Sequence, residues 1–370
     1  MRESERHFVR AITSAVPLLC AIAVIGMLSG CGGGASGPTP PPEQPSLRWL
    51  GTLPGYNKSE AFGISADGSV VVGRVENALG EWRAFRWTAS GGIQDLGAMG
   101  GNSSAAYAVS ADGRVVIGWA DNAEGQGRAF RWTSSGGMQD LGTLGGVRSS
   151  ASSVSADGNV VVGQAEDSLG QIRAFRWTAS GGMQSLGTLG GFESESHSVS
   201  ADGNVVVGYS NSSAGSRRAF RWTASGGMQD LGTLGSSWSE AFSVSADGRV
   251  IVGYSDNAAG QLRAFRWTTG LGMQDIGTLG GDWSEAYGVS ADGRVVAGTA
   301  SNASGEERAF RWTAARGMED LNATYERLLT PGSVLRVARA ISPSGRYIVG
   351  IGWNAATGRS EAFLLDTGSP

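Results

Sequence analysis

Apolar and polar positions along this chain fall into short strand-sized runs, and the same runs return at a fixed interval. In one copy Ser239–Ala246 (SEAFSVSA) leads through Asp247-Gly248 into RVIVGYS, where Val250, Ile251 and Val252 form an unbroken apolar stretch. Such a stretch suits a strand covered on both faces, and a two-residue Asp-Gly link between apolar runs reads as a hairpin. DNAAGQ then makes a second turn, RAFRWT a third strand, and a Gly-rich turn of the SGG type opens a fourth strand of the MQDLGTL type. No helical period competes.

The interval sets the architecture. Asp67, Asp112, Asp157, Asp202, Asp247 and Asp292 recur every 45 residues, and a degenerate seventh copy carries Ser344-Gly345 in the same slot. Four strands in about 40–45 residues is the size of a propeller blade, whereas a solenoid coil is normally shorter. The expected fold is all-β: a seven-bladed β-propeller of four-stranded blades over residues 47–367. The seventh copy stops after its third strand at Leu365-Asp366, while LRWLGTLPG (Leu47–Gly55) matches a fourth strand with none before it. The N-terminal strand is therefore expected to complete the last blade and leave no open edge.

With ASGG as the loop, Thr88 faces Ile93 and Arg86 faces Asp95, with Arg131–Asp140, Arg221–Asp230, Arg266–Asp275 and Arg311–Asp320 in the same register. Only Arg176 then meets a non-acid, Ser185, and in the closing blade Leu364 meets Trp49. Opposed charges on neighbouring strands serve the sheet, the Trp of each RWT packs between sheets, and the Asp of each Asp-Gly bonds backbone. These repeated residues read as scaffold.

The text RAFRWTASGGMQDLGTLGG followed by SEAFSVSADGRVIVGYS resembles the HAF-type bacterial extracellular repeat, over nearly all of Leu47–Asp366. One departure is systematic: Arg83, Arg128, Arg173, Arg218, Arg263 and Arg308 stand where that repeat has His, which removes a ring of histidine ligands. The resemblance implies export and a repeat fold and brings no reaction with it.

Residues 1–30 have the form of an export signal: Arg2, Arg6 and Arg10, then an apolar run from about Ala15 to Leu28. Leu28-Ser29-Gly30-Cys31 resembles the lipobox, which implies lipidation at Cys31. Residues 31–46, rich in Gly and Pro, read as a tether reaching on the order of 20–45 Å. Cys20 and Cys31 are the two cysteines, so the folded part offers no disulfide or thiolate site. The expected setting is a bacterial cell envelope, held to a membrane through the lipid, with outer membrane or cell surface favoured over inner membrane. With 29 basic and 33 acidic residues and no basic stripe, nucleic acid is not an expected partner. No cofactor or metal is expected. Calcium on the turns at Asp121-Asn122 or Asp256-Asn257 lacks the dense oxygen ligands of a calcium loop.

The copies differ on one rim, where the links between blades and the second-to-third strand turns lie. Loops tolerate change because they are exposed, yet exposed aromatics mixed with charge also suit a ligand, protein or glycan partner of a monomer. The expected binding rim comprises Tyr56, Lys58, Arg148, Phe192, Trp238 and Trp283. Just inside lies the slot Phe62, Tyr107, Ser152, His197, Phe242, Tyr287, Arg339, which adds Tyr107 and His197 as candidates. A second varied slot is Trp82, Gly127, Ile172, Arg217, Leu262, Glu307. A short helix is expected around Ala323–Leu329, covering part of the central channel. The alternative is a carbohydrate hydrolase or lyase using a carboxylate pair, for which Glu60, Glu195, Glu240 and Glu285 are the repeated candidates. His197 is the only histidine beyond the signal, so no triad can be assembled.

Overall fold

The computed structural model describes residues 44–368. The signal segment, Cys31 and the tether up to residue 43 lie outside the described residues. The described chain forms seven four-stranded antiparallel sheets, a seven-bladed β-propeller. Blade 1 runs Tyr56–Ile64, Val70–Asn77, Trp82–Thr88, Gly92–Asp95, and blades 2 to 6 repeat it. Blade 7 consists of Val334–Ile341, Tyr347–Asn354 and Arg359–Asp366, with Ser46–Trp49 as its outermost strand. The ring closes as the sequence suggests.

The register of the outer hairpin is one residue away from expectation. Phe85 pairs with Asp95, Arg86 with Gln94, Trp87 with Ile93 and Thr88 with Gly92. The loop is three residues long: Gly92 adopts φ 63° and stays in the ladder, while Thr88 Oγ1 accepts from Gly91 N at 3.1 Å. A three-residue hairpin with a left-handed glycine consumes one residue fewer than the loop read from ASGG. In the closing blade the same shift pairs Trp49 with Phe363 and Arg48 with Leu364. Leu364 and Trp49 are thus offset by one rather than opposed.

The Asp-Gly turn is also longer than a two-residue link. Ser65 N bonds Val70 O at 2.9 Å, and Asp67 Oδ1 accepts from Ser69 N at 3.0 Å and from Ser65 Oγ at 2.7 Å. As expected, the aspartate holds backbone. Its neighbour does more: Ala66 N donates to Ala111 O, Ala111 N to Ala156 O, and so on round to Ala291 N and Pro343 O. This belt ties each blade to the next. It is open at one step, because Pro343 has no N–H to return to blade 1.

Between blades, the Phe and Trp of one sheet cover the valines of the preceding one; Phe130 and Trp132 of blade 2 pack with Val70, Val72 and Ala84 of blade 1. A buried serine stitches six of the seven interfaces. Ser59 Oγ accepts from Ala362 N at 2.8 Å and donates to Gly51 O at 2.6 Å, and Ser104, Ser149, Ser194, Ser239 and Ser284 repeat the motif. Between blades 6 and 7 Asn322 takes over, bonding Leu335 N at 2.7 Å and Leu335 O at 2.9 Å. The helix there is shorter than expected, Leu321–Thr324 with a 3-10 turn Glu326–Leu328. Leu321, Leu328 and Leu329 pack with Leu47 and Trp49 of the outermost strand of blade 7. The helix therefore seals the outer edge of that interface instead of covering the channel.

One irregularity shapes the centre. The first strand of every blade shifts register at the varied slot: Ala61 faces Gly73 and Gly63 faces Val72, leaving Phe62 as the extra residue. A bulge re-aims the side chain it carries. The opposing glycine is required, since a Cβ on Gly73 would lie 2.0 Å from Glu60 O.

Candidate functional site

The bulge turns the seven slot residues inward, where they plug the axis. Phe62 meets Tyr107 at 5.3 Å, His197 meets Phe242 at 5.0 Å, and Phe242 meets Tyr287 at 5.3 Å between ring centroids. Arg339 closes the circle over Tyr287 at 4.9 Å and Phe62 at 6.0 Å. Tyr107 and His197 are consequently buried, at 4% and 0% exposure, and form no part of the rim. Their variation has a packing cause: seven copies of one slot converge on one axis, and seven identical large side chains would not fit around it.

Between this plug and the variable rim lies a layer of cross-strand pairs, one per blade: Glu60 with Arg74, Ala105 with Trp119, Ser150 with Gln164, Glu195 with Tyr209, Glu240 with Tyr254, Glu285 with Thr299, Val337 with Ile351. Each acidic member except Glu285 finds its partner directly opposite. Glu60 is held by Arg74 at 3.1 Å and by Arg339 of blade 7 at 2.9 Å. Burial pushes its carboxyl up, but Arg339, Arg74 and Lys58 together hold it below the usual range. Glu195 has a phenol opposite instead; Tyr209 donates to it at 2.7 Å. Burial, with Glu193 and Glu240 nearby, pushes Glu195 up to about 8 against the Tyr209 hydrogen bond and Arg217. His197 lies 3.6 Å from Glu240, but burial, reinforced by Arg217, pushes it down to about 3, so no ion pair forms. Neither ring nitrogen of His197 has a hydrogen-bond partner among the described residues.

The variable rim opens above this layer. Between blades 4 and 5 a cleft of about 380 Å³ is lined by Glu193, Asn211, Ser216, Arg217, Ser237 and Trp238, among others. Arg217 projects from the start of its strand, stacks over Tyr209 at 3.8 Å and Trp238 at 5.5 Å, and reaches Glu240 at 3.3 Å. Glu193 lies 3.0 Å from the same Tyr209 hydroxyl, sharing it with Glu195, and accepts from Asn211 at 3.4 Å. Trp238 is 39% exposed at the lip and Phe192, on the neighbouring blade, 63%. Trp238 thus joins residues that sequence reading placed only among scattered variation (Glu193, Arg217) or passed over (Asn211, Ser216). The signal for Asn211 is an amide where four other blades carry Glu76, Asp121, Glu166 and Asp256.

The remaining candidates stay apart from the cleft. Tyr56 is half-buried against the blade 1–7 core, Lys58 pairs with Glu76 at 3.0 Å, Trp283 is half-buried, and Arg148 is exposed on blade 3. A second cleft of about 270 Å³ on the opposite rim lies where Ser185 replaces the usual Asp.

Three of the repeated arginines hold parts of this rim in place. Arg128 Nη1 donates to Val147 O at 3.3 Å and Arg263 Nη1 to Asp282 O at 2.7 Å; Arg173 likewise holds Phe192 O. These three RAF arginines fix the backbone of the next blade's variable segment while leaving its side chains free to differ. The same arginines reach the acid assigned above to the RWT arginine: Arg128–Asp140 is 3.1 Å and Arg263–Asp275 3.6 Å. Where Ser185 removes the acid, Arg173 takes Asp167 at 3.3 Å. Four of the RWT arginines instead donate to the turn glycine of the next blade, Arg176 to Gly203 O at 3.1 Å and Arg131 to Gly158 O at 3.3 Å among them. Arg176 is no exception among its copies.

No family model matches the chain, and no curated protein matches it in sequence. Among solved structures it is similar to TolB from Acinetobacter baumannii, at 12% identity over 82% of this chain and 64% of that one, with a TM-score of 0.50. It is also similar to a chain of the Mitotic Checkpoint Complex, at 14% identity over 92% of this chain and 98% of that one, with a TM-score of 0.50. The likeness is one of fold. The chain spans less than two thirds of the TolB chain, and the site must be read from its own residues.

Proposed function

We propose that this chain is a lipid-tethered cell-envelope binding module that presents the rim of blades 3 to 5 to an envelope component. One observation carries the reading: apart from Leu79 on blade 1, the large apolar side chains exposed on the variable rim fall on three consecutive blades, as Val147 and Leu169, then Phe192, then Trp238. A run of exposed apolar residues beside a formed cleft is what a recognition surface requires. The repeated arginines support it by fixing the backbone beneath Val147 and Phe192. The lipobox-like Leu28–Cys31 and the resemblance to HAF-type repeats support the exported, anchored setting.

The hydrolase or lyase reading finds less support. Glu193 and Glu195 share the Tyr209 hydroxyl, but of the two only Glu193 lines the cleft. A glycosidase needs both carboxyl groups against the substrate, and Glu60 is engaged by two arginines.

Retention of the full chain on isolated envelope fractions tests the binding reading. A Phe192→Ser/Trp238→Ser double variant should lose about tenfold in retention, and Leu271→Ser, an exposed leucine on the opposite rim, should lose none. Equal retention of all three would refute the rim assignment. Labelling with radioactive palmitate tests the anchor: Cys31→Ser should abolish incorporation, and persistence of label would remove it.

A further inference from the structure

We infer that the cleft between blades 4 and 5 takes a neutral saccharide, an inference that rests on the binding reading and narrows it. Three features of the cleft select this ligand. The first is its charge. Arg217 and Glu193 line the same cleft, so a ligand carrying net charge of either sign gains one attraction and meets one repulsion. Both groups are also engaged from behind, Arg217 by Glu240 and Glu193 by the Tyr209 hydroxyl.

The second feature is the donor and acceptor pattern. Arg217 and Asn211 present N–H donors, Glu193 presents acceptor oxygens, and Ser216 and Ser237 can do either. A vicinal pair of hydroxyl groups answers such a set, since each hydroxyl both donates and accepts. An apolar ligand would leave the donors and acceptors not already engaged from behind unpaired on burial. A peptide backbone offers N–H and C=O groups spaced along a strand rather than adjacent hydroxyls.

The third is Trp238. Its ring stands at the lip, 39% exposed, backed by the Arg217 guanidinium. An indole face with polar groups around it suits a ring that is apolar on its C–H face and polar at its edge. The volume of about 380 Å³ lies at the small end of ligand pockets, which fits one or two sugar rings of a longer chain running along Phe192.

The test uses the purified full chain in a detergent without a sugar headgroup. Tryptophan fluorescence is titrated with neutral oligosaccharides (malto-, cello- and N-acetylchito-tetraose) and with acidic ones (uronate and sialylated tetramers). At least one neutral oligosaccharide should bind, about tenfold tighter than any acidic one, with affinity unchanged between about 0.05 and about 0.5 M salt. Trp238→Ala should weaken it about tenfold and Trp238→Phe should restore most of the loss, with circular dichroism confirming both fold. Binding that favours the acidic set, or that collapses in salt, overturns the assignment. So does neutral binding indifferent to Trp238→Ala. If no neutral oligosaccharide binds while the Phe192→Ser/Trp238→Ser variant still loses envelope retention, the saccharide assignment fails and the rim reading stands. If neither experiment responds, both fail.

Discussion

Glu60 and Glu195 occupy the same slot in blades 1 and 4, both are buried, and their surroundings drive them in opposite directions. Opposite Glu60 the second strand carries Arg74, and Arg339 arrives from the next blade round the ring; opposite Glu195 it carries Tyr209. One carboxyl is held below the usual range and the other pushed up to about 8. The propeller supplies a fixed position, and the cross-strand partner decides whether it holds an ion or an acid. At blades 4 and 5 the cation is Arg217, which pairs with the buried Glu240 and also lines the cleft.

The sharpest way to break this comparison is to neutralise Glu60. Glu60→Gln leaves Arg74 and Arg339 without their carboxylate, and removing one member of a buried pair costs about 3–5 kcal/mol. Urea unfolding should show a loss of that order. Glu195→Gln should be far milder at pH 6.5, because an amide imitates the protonated acid already present. A Glu60→Gln loss below about 1 kcal/mol would mean that its ion pairs lack the importance given to them.

Titration sharpens the same contrast. Glu195 titrates near 8 in the folded chain against an ordinary 4.5, so the folded state keeps a proton that the unfolded chain releases. The stability this contributes is complete below 4.5 and is lost as pH rises toward 8. His197 runs the other way: held near 3 against an ordinary 6.5, its contribution is complete above 6.5 and is lost as pH falls. Glu195 therefore governs the interval above 6.5 with no opposing change from His197. Between pH 6.5 and 8 the chain should lose about 2 kcal/mol, and Glu195→Gln should flatten that slope. Gln164 gives a structural readout. A terminal atom of its amide lies 2.7 Å from Glu195 Oε2. A protonated Glu195 donates there to the amide oxygen, and an ionised one takes the amide NH2, so the Gln164 side-chain amide resonances should shift with an apparent pKa near 8. A slope equal in both chains would assign the proton elsewhere.

These pairs also mark where the sequence stops being legible. The 45-residue interval, the blade count and the closing strand follow from text that repeats, because each blade must present the same faces to its neighbours. The outer-hairpin register depended on one glycine, Gly92, remaining in the ladder at φ 63°. The bulge at Phe62 has no local signature beyond Gly73, eleven residues on, and without it the slot looked like rim. Variation marks exposure in the loops of the rim, whereas at this slot it comes from convergence on the axis. The cleft was only partly readable because Arg217 and Glu240 belong to different blades and meet through folding alone.

The smallest expected effect tests whether a repeat residue can be exchanged without disturbing the rim it supports. Blade 3 has already made one such exchange, with Ser185 in place of the aspartate, and Arg173 keeps its hold on Phe192 O by taking Asp167 instead. Asp140→Ser would give blade 2 the same hairpin. The pair it removes, Arg128–Asp140 at 3.1 Å, is partly exposed, and such pairs contribute about 0.2–1 kcal/mol. Arg128 retains its bond to Val147 O, although the blade 2 counterpart of Asp167 is Asn122, which offers it no second acid. Thermal unfolding should therefore move by about 1–2 °C at most, with envelope retention unchanged. A loss of retention without a loss of stability would show that the aspartate steers Arg128, and through it the rim, more tightly than blade 3 implies.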